Sequence, residues 1–244
     1  MPAIQMLDAV KGNRNVPSSA PGPMQNCDLE NSVPADRVIV FFIGGAGDKE
    51  AYYTSGPFEN IVKAQDAFDP KVRDLELCRR YLSFYRGYNE VCGSDNIKKH
   101  VLQHIPSKRT PVYIVGHSLG GWNGAHLSSI LTSHGYIVKM LITLDPVGEG
   151  ALVWVVSKIH ASKPSPKAEY WINILAQPKN PDQSDGVADL GERWAVKAGP
   201  GGPNLNYIAN VNHYDAIQLF IVAPKGKKSA SDLLYESIRK VTSK

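Results

Sequence analysis

The sequence has few cysteines and no long hydrophobic run, and neither sign of charge dominates it. The three cysteines, Cys27, Cys78 and Cys92, are an odd number without the spacing of a metal site. A reducing compartment is the simplest interpretation, with a Cys78–Cys92 bridge as the alternative. No stretch reaches 18 apolar residues, so the sequence predicts no membrane-spanning helix.

The charges are mixed along the chain. The 27 basic and 23 acidic residues give a net charge of +4. The densest basic cluster, residues 225–228, is interrupted by Gly226, and we interpret it as a solvated turn. The sequence therefore predicts no nucleic-acid partner. A hydrophobic content of 43% in 244 residues is ordinary for a globular protein and sufficient for a buried core.

The first 35 residues differ in composition from the rest. They contain no continuous apolar run of the kind found in secretory signals. Proline, serine, glycine and asparagine are frequent there, which predicts a flexible or surface-wrapping extension, with one folded domain over residues 36–244. Without a signal we expect a protein that is cytoplasmic as synthesised, with an unconventional export route as the alternative.

Short apolar runs alternate with segments of helical spacing after residue 37. The unbroken run Val38–Ile43 predicts a strand covered on both faces. Further strands are predicted within residues 79–88, 111–116, 137–145, 169–177 and 207–212, and helices within residues 57–68, 94–105, 119–134 and 231–241. Residues 151–160 fit either. This alternation predicts an α/β fold with a mostly parallel central sheet and helices on both faces.

The stretch YIVGHSLGGWNGAHL, residues 113–127, contains the pattern G-x-S-x-G around Ser118. Such a turn between strand and helix is sharp and strained, and it raises the serine oxygen above the sheet. Gly116 and Gly120 must be small because the chain and the helix crowd them. The bare pattern is a weak signal, so its place between an apolar strand and a glycine-tolerant helix carries the hypothesis that Ser118 is a nucleophile. The alternative is an ordinary turn serine.

A serine nucleophile needs a histidine base, and the base needs a carboxylate that orients it. The chain order serine, acid, histidine favours His213, which follows the last predicted strand. Asp145 ends the fourth predicted strand, at the same sheet edge as Ser118, and is our candidate acid. Its alternative role is that of a turn residue before proline. The alternative acids follow the next strand and are Asp182, Asp185 and Asp189.

The oxyanion formed during acyl transfer needs backbone N–H donors. Leu119, directly after the candidate nucleophile, is one expected donor. The glycine-rich loop after the first strand is expected to supply the other, from Ala46 or, as second choice, Gly45. A phosphate-binding loop is the alternative for this glycine run, but neither G-x-x-x-x-G-K-[ST] nor G-x-G-x-x-G is present.

With these candidates in place, the chain resembles the α/β-hydrolase superfamily and, within it, the lipase-like serine hydrolases. VFFIGGAG resembles the strand and oxyanion loop, VYIVGHSLGGWNGAHL the lipase elbow with its helix, and LITLDPVG the acid segment. The resemblance spans about residues 36–244, and GHSLGG is its most specific part. The chain departs from many lipases at Gly44 and Gly45, where they have His-Gly. The resemblance implies the α/β-hydrolase fold and ester chemistry, and no metal or organic cofactor.

We therefore expect a serine hydrolase that cleaves small-molecule or lipid carboxylic esters, with transient contact to a membrane surface. Alternatives with the same triad are a thioesterase, an amidase, an acyltransferase, or an antibacterial phospholipase delivered by a type VI secretion system. The non-enzyme alternative is a retired hydrolase that serves as a binding module. Residues 147–166 are apolar and follow the candidate acid, so they predict either a lid or acyl-chain wall, or an ordinary packed helix.

Overall fold

The computed structural model describes residues 37–51, 56–196 and 199–243, and six strands of these residues form one all-parallel sheet. The strands are β1 Val38–Gly44, β2 Tyr81–Gly87, β3 Pro111–His117, β4 Ile137–Leu144, β5 Tyr170–Ala176 and β6 Leu205–Ala209. Their order in the sheet is β2-β1-β3-β4-β5-β6. The extension predicted for residues 1–35 lies outside the described residues.

Eight α-helices connect and cover these strands in the described part of the chain. They are α1 Asn60–Phe68, α2 Arg73–Leu77, α3 Ser94–His100, α4 Leu119–Ser133, α5 Ala151–Val156, α6 Gln183–Leu190, α7 Ala216–Ile221 and α8 Ala230–Thr242. The longest of them, α4, has 15 residues. No helix among the described residues is long and apolar enough to cross a membrane.

The core lies on both faces of the sheet because successive strand residues point to opposite sides. On β1, Val38, Val40 and Phe42 point to one side, where they pack with α1, α7 and α8. Ile39, Phe41 and Ile43 point to the other side and pack with α3 and α4. All residues of β1 and β3 are buried. The predicted α/β fold, with a parallel sheet and helices on both faces, is confirmed.

The predicted elements differ from the structure mainly at their ends. The helix predicted over residues 94–105 ends at His100, because Val101 leaves helical geometry at φ −124° and a short 3₁₀ turn follows. β6 begins two residues before its predicted start and ends at Ala209. The ambiguous residues 151–160 contain the short helix α5. α4 ends at Ser133, and Gly135 adopts φ 82°, as expected of a glycine after a helix.

The cysteines differ from the prediction. Cys78 is disulfide-bonded, whereas Cys92 is a free, half-buried thiol. The alternative Cys78–Cys92 bridge is therefore wrong. A disulfide at Cys78 is not what a reducing compartment, the simplest interpretation of the sequence, leads one to expect, because disulfides persist in oxidising compartments.

Candidate active site

Ser118 occupies a strained turn between β3 and α4. Its backbone angles are φ 56° and ψ −128°, a region that residues with a side chain rarely adopt. Such a conformation costs of order 1–3 kcal/mol and persists only where the surroundings hold it. Here the Ser118 N–H donates to the carbonyl of Leu144 at 3.1 Å, and the Ser118 carbonyl accepts from Gly121 at 2.9 Å. The end of β4 and the first turn of α4 therefore hold the strained serine.

The glycines around Ser118 have no room for a side chain. A Cβ atom at Gly116 would overlap the carbonyl oxygen of Gly120, and one at Gly120 would overlap the carbonyl oxygen of Ile43. In both cases the obstacle is backbone, which cannot rotate away. The pattern G-x-S-x-G therefore has a steric cause here, since helix α4 starts directly against the ends of β1 and β3.

Ser118, His213 and Asp145 come together at the carboxyl edge of the sheet. Ser118 Oγ lies 3.1 Å from His213 Nε2, and His213 Nδ1 lies 2.6 Å from Asp145 Oδ2. A carboxylate only accepts hydrogen bonds, so Nδ1 carries the proton and Nε2 of the neutral ring accepts one from the serine hydroxyl. Ser118 follows β3, Asp145 follows β4, and His213 lies between β6 and α7. The parallel sheet thus gathers groups that are up to 95 residues apart.

Asp145 is held as a carboxylate although it is fully buried. Its Oδ1 accepts the Ala176 N–H at 3.0 Å, and its Oδ2 accepts both His213 Nδ1–H and Arg193 Nε–H, the latter at 2.9 Å. Burial acts to raise the pKa of Asp145, but the bonds from His213 and Ala176 and the charge of Arg193 hold that pKa below its ordinary value. Asp145 is therefore ionised at neutral pH.

Two of the three expected oxyanion donors border the serine. Leu119 is the first residue of α4, so its N–H has no acceptor within the helix. A Cβ atom at Gly45 would lie 2.6 Å from the Cβ of Ser118 and 3.0 Å from its Oγ, which places the loop after β1 directly against the nucleophile. Ala46 is the next residue of that loop and is half-buried.

A buried aspartate, which the sequence analysis did not single out, braces this loop. The Asp48 carboxylate accepts the N–H groups of Asn60 and Ile61 at the start of α1, the second at 3.2 Å. A side chain at Gly44 would collide with it. Burial raises the pKa of Asp48 above its ordinary value. Asp48 thereby ties the glycine-rich loop to α1.

None of the three alternative acids contacts the imidazole ring of His213. Asp182 caps α6 by accepting the Ser184 N–H at 2.8 Å. Asp185 is buried and accepts the main-chain N–H of His213 at 3.0 Å. The side chain of Asp189 is 71% exposed and pairs with Arg193. The structure therefore brings the Asp145 carboxylate to the imidazole of the candidate base, whereas Asp185 bonds only to its main chain.

His117 and Arg193 also belong to the site, although no sequence pattern selected either of them. The buried His117 donates from Nε2 to the carbonyl oxygen of His213 at 2.7 Å, and the two ring centroids lie 4.8 Å apart. Burial lowers the pKa of His117 to about 3, so its ring is neutral. Arg193 reaches Asp145 from a segment 48 residues away. Only a tertiary contact identifies either residue, since no local pattern marks it.

Helix α5, which follows Asp145, exposes its apolar side chains. Leu152 is 75% exposed and Val155 84%, and no residue of α5 is buried. Among the α5 side chains, Val153 is half-buried and packs against the core, while the other five are exposed. Trp154 Nε1–H also donates to the Gly148 carbonyl at 2.7 Å. Further exposed apolar residues follow the neighbouring strands, namely Val187, Leu190 and Tyr214.

Comparison with known proteins adds no assignment. The chain matches no protein-family model, and no curated protein sequence matches it. Within residues 37–51, 56–196 and 199–243, no group of three or more His, Cys, Asp or Glu side chains is arranged to hold a metal ion. The functional argument therefore depends on the geometry around Ser118.

Proposed function

We propose that the protein is a serine hydrolase that cleaves carboxylic esters and belongs to the lipase-like α/β-hydrolases. The observation that carries this proposal is the continuous relay from Ser118 Oγ through His213 to Asp145, with steps of 3.1 and 2.6 Å. Ser118 and His213 retain 9% and 7% exposure, so a substrate approaching from the open side of the elbow can reach them.

The relay supplies the chemistry of acyl transfer. His213 Nε2 takes the hydroxyl proton of Ser118 while Oγ attacks the ester carbonyl carbon. Asp145 stabilises the imidazolium that forms, and its bond to Nδ1 keeps the ring in the tautomer that the first step needs. His213 then returns the proton to the departing alkoxide, and the alcohol leaves an acyl-serine. A water molecule, deprotonated by His213, hydrolyses that intermediate and restores Ser118.

The negative oxygen of each tetrahedral intermediate needs fixed donors. We assign the N–H of Leu119 as the first donor and an N–H of the loop after β1, from Ala46 or Gly45, as the second. Each donor of this kind lowers the barrier by about 2.7–4 kcal/mol in serine hydrolases. The strain at Ser118 and the bracing by Asp48 support this role, because both hold the donors in place before the substrate arrives.

The surroundings of the site favour lipid-type esters. The exposed apolar side chains of α5 and α6 suit contact with acyl chains or with a membrane surface. The disulfide at Cys78 favours action in an oxidising compartment, which an export route after synthesis in the cytoplasm would provide. We therefore propose a lipid ester as the substrate class and a transient contact with the surface that carries it.

A fluorophosphonate probe, which reacts with activated serines, tests the proposal directly. We expect the wild type to be labelled and to hydrolyse p-nitrophenyl esters, and Ser118→Ala to do neither. Ser133→Ala is the matched control, because Ser133 is an exposed serine at the far end of the same helix. Equal labelling of Ser118→Ala, or a folded wild type that neither reacts with the probe nor hydrolyses esters in detergent, would overturn the proposal.

The same preparation separates the related reactions. Matched ester, thioester and amide substrates with one acyl chain are offered to the wild type, with Ser118→Ala as the blank. We expect the highest kcat/KM for the ester. A higher value for the thioester or the amide would keep the serine mechanism and replace the substrate class.

A further inference from the structure

A closed ring of hydrogen bonds joins the candidate base to a second aspartate. The ring begins at His213 Nδ1–H, which donates to Asp145 Oδ2 at 2.6 Å. The same oxygen accepts from Arg193 Nε at 2.9 Å, and Arg193 Nη2 donates to Asp185 Oδ1 at 3.0 Å. Asp185 Oδ1 also accepts the main-chain N–H of His213 at 3.0 Å. The side chain and the main chain of His213 are therefore held through one arginine.

We propose that Arg193 and Asp185 are positioning residues that hold His213 and Asp145 in register for proton transfer. This inference rests on the proposed hydrolase function. Neither residue reaches the reacting atoms, since within the triad Arg193 bonds to the carboxylate of Asp145 and Asp185 bonds to the main-chain N–H of His213. Their effect on turnover is exerted through His213 and Asp145.

The main chain at Arg193 is fixed by its pairing with the segment that follows Asp145. Arg193 forms an antiparallel bridge with Val147, and Trp194 N–H donates to the Pro146 carbonyl at 2.7 Å. The chain that follows Asp145 thus pairs with the chain that carries Arg193. The guanidinium consequently lies where Asp145 and Asp185, both buried, need a positive charge between them.

The ring also sets the balance of charge around His213. Asp145 and Asp185 are negative, Arg193 is positive, and His117 from β3 is neutral because burial lowers its pKa to about 3. Arg193 also pairs with an exposed carboxylate of α6, that of Asp189. The titratable groups of the loop of His213 itself are Tyr214 and Asp215.

Removing the charge of Arg193 and removing the charge of Asp185 change the balance of charge around His213 in opposite directions. Loss of the Arg193 charge favours the imidazolium, so the pKa of His213 rises. Loss of the Asp185 charge disfavours the imidazolium, so the pKa of His213 falls. The base acts only when unprotonated, so the acid limb of the kcat/KM profile must move to higher pH in Arg193→Gln and to lower pH in Asp185→Asn.

The test measures ester hydrolysis against pH for the full chain and both variants. We expect kcat to fall at least about tenfold in each with little change in KM, because misplaced groups slow the chemical step. We expect the acid limb to move by about half a unit to one unit in the two opposite directions. Arg193→Lys keeps the positive charge but loses the planar guanidinium that bonds to both aspartates. The acid limb of its kcat/KM profile should therefore stay at the wild-type pH while kcat remains low.

Asp182→Ala is the matched control for loss of structure in α6. It removes the helix cap and the bonds of Asp182 to Ser184 and Asn212 but leaves the bonds among Arg193, Asp185, Asp145 and His213 in place. Asp185→Asn also disturbs this cap because Asp185 Oδ2 accepts the Asp182 N–H at 3.0 Å. We expect Asp182→Ala to lower Tm and to leave the acid limb in place. If Arg193→Gln does not fold, Arg193→Lys and Asp185→Asn carry the test. Folded Arg193 and Asp185 variants that keep the wild-type kcat and the wild-type position of the acid limb would overturn the positioning role.

A second readout needs no turnover. NMR titration of the His213 imidazole in the full chain should show its pKa rising in Arg193→Gln and falling in Asp185→Asn. If these shifts occur but the wild type shows no hydrolysis that depends on Ser118, the proposed function fails and the coupling of the pair to His213 stands. If hydrolysis depends on Ser118 and neither variant shifts the pKa of His213 or lowers kcat, the hydrolase function is supported. The positioning role of Arg193 and Asp185 is then rejected.

Discussion

His117 Nε2 donates a hydrogen bond to the main-chain carbonyl of His213 over 2.7 Å, which ties the residue before the candidate nucleophile to the candidate base. Both rings are buried, and they are tilted by 33° to each other with centroids 4.8 Å apart. The contact spans 96 residues of sequence. It therefore joins the end of β3 to the loop between β6 and α7.

This contact predicts the behaviour of His117→Phe. Phenylalanine keeps the ring packing but removes the donor, and a buried carbonyl left without a partner costs about 1–3 kcal/mol of stability. We also expect kcat/KM for an ester to fall between about tenfold and a hundredfold, because the loop of His213 loses an anchor. Urea unfolding and ester hydrolysis measure the two effects. His134→Phe, at the exposed end of α4, is the control and should change neither.

The effect of pH on stability follows from the same residue. Burial lowers the pKa of His117 to about 3 from an ordinary value of 6.5. Between these values the unfolded chain binds a proton at His117 that the folded chain does not, so this term makes the wild type less stable as pH falls. The variant His117→Phe lacks the term. We expect its deficit in the free energy of unfolding to shrink between about pH 7 and about pH 4. A deficit that stays constant would contradict the assignment of a neutral, buried imidazole.

The choice of acid predicts unequal effects of two aspartate substitutions. Asp145→Asn removes the acceptor that holds Nδ1–H, so the ring is free to take the wrong tautomer, and we expect kcat to fall by about 10⁴-fold. Asp189→Asn should lower it less than about twofold, because Asp189 is exposed and contacts only Arg193. Steady-state hydrolysis of a soluble ester measures both. Similar losses in the two variants would exclude Asp145 as the specific partner of His213.

The crowding around Ser118 predicts that Gly120→Ala is destabilising, whereas Gly186→Ala in α6 is not. A methyl group at Gly120 meets the carbonyl oxygen of Ile43, and overpacking against backbone costs typically about 1–3 kcal/mol. Gly186 lies in α6 with open space around it, so Gly186→Ala should stabilise by about 0.5–1 kcal/mol. Urea unfolding compares them. A Gly120→Ala variant as stable as the wild type would show that the elbow relaxes.

The exposed face of α5 predicts a role at lipid surfaces. Leu152→Ser with Val155→Ser removes apolar side chains that are 75% and 84% exposed, so stability should change by less than about 0.5 kcal/mol. Each side chain contributes about 1.5–3 kcal/mol when it leaves water, so binding to phosphatidylcholine vesicles should weaken at least about tenfold. Hydrolysis of a short soluble ester should not change.

Leu77→Ser is the matched control for this effect. Leu77 is 68% exposed but ends α2, which precedes β2 and thus lies toward the amino edge of the sheet. We expect this variant to bind vesicles as the wild type does. Equal weakening in both variants would indicate a nonspecific effect of surface hydrophobicity, and no weakening in either would remove α5 from lipid contact.

The positions of the six strands and of helices α1, α3, α4 and α8 were predictable because burial gives these segments a recognisable apolar pattern, whereas α2, α6 and α7 were not predicted. β1 and β3 are covered on both faces, so they appear as unbroken apolar runs. The elbow is also local, because the steric conflict at Gly116 and Gly120 arises from the adjoining turn. The end of α3 was not predictable, since Ile97, Val101 and Ile105 keep helical spacing although the backbone leaves the helix at Val101.

The sequence by itself determined the α/β class, the strand positions and the order of the candidate groups Ser118, Asp145 and His213. Each of these depends on periodicity, on sterics within a few residues, or on chain order. Only the tertiary structure decided which aspartate meets His213, and that Asp185 and Arg193 complete a ring around it. The physical reason is separation, because these contacts join residues 28 to 68 positions apart, and the register of the sheet and the path of its loops bring them together.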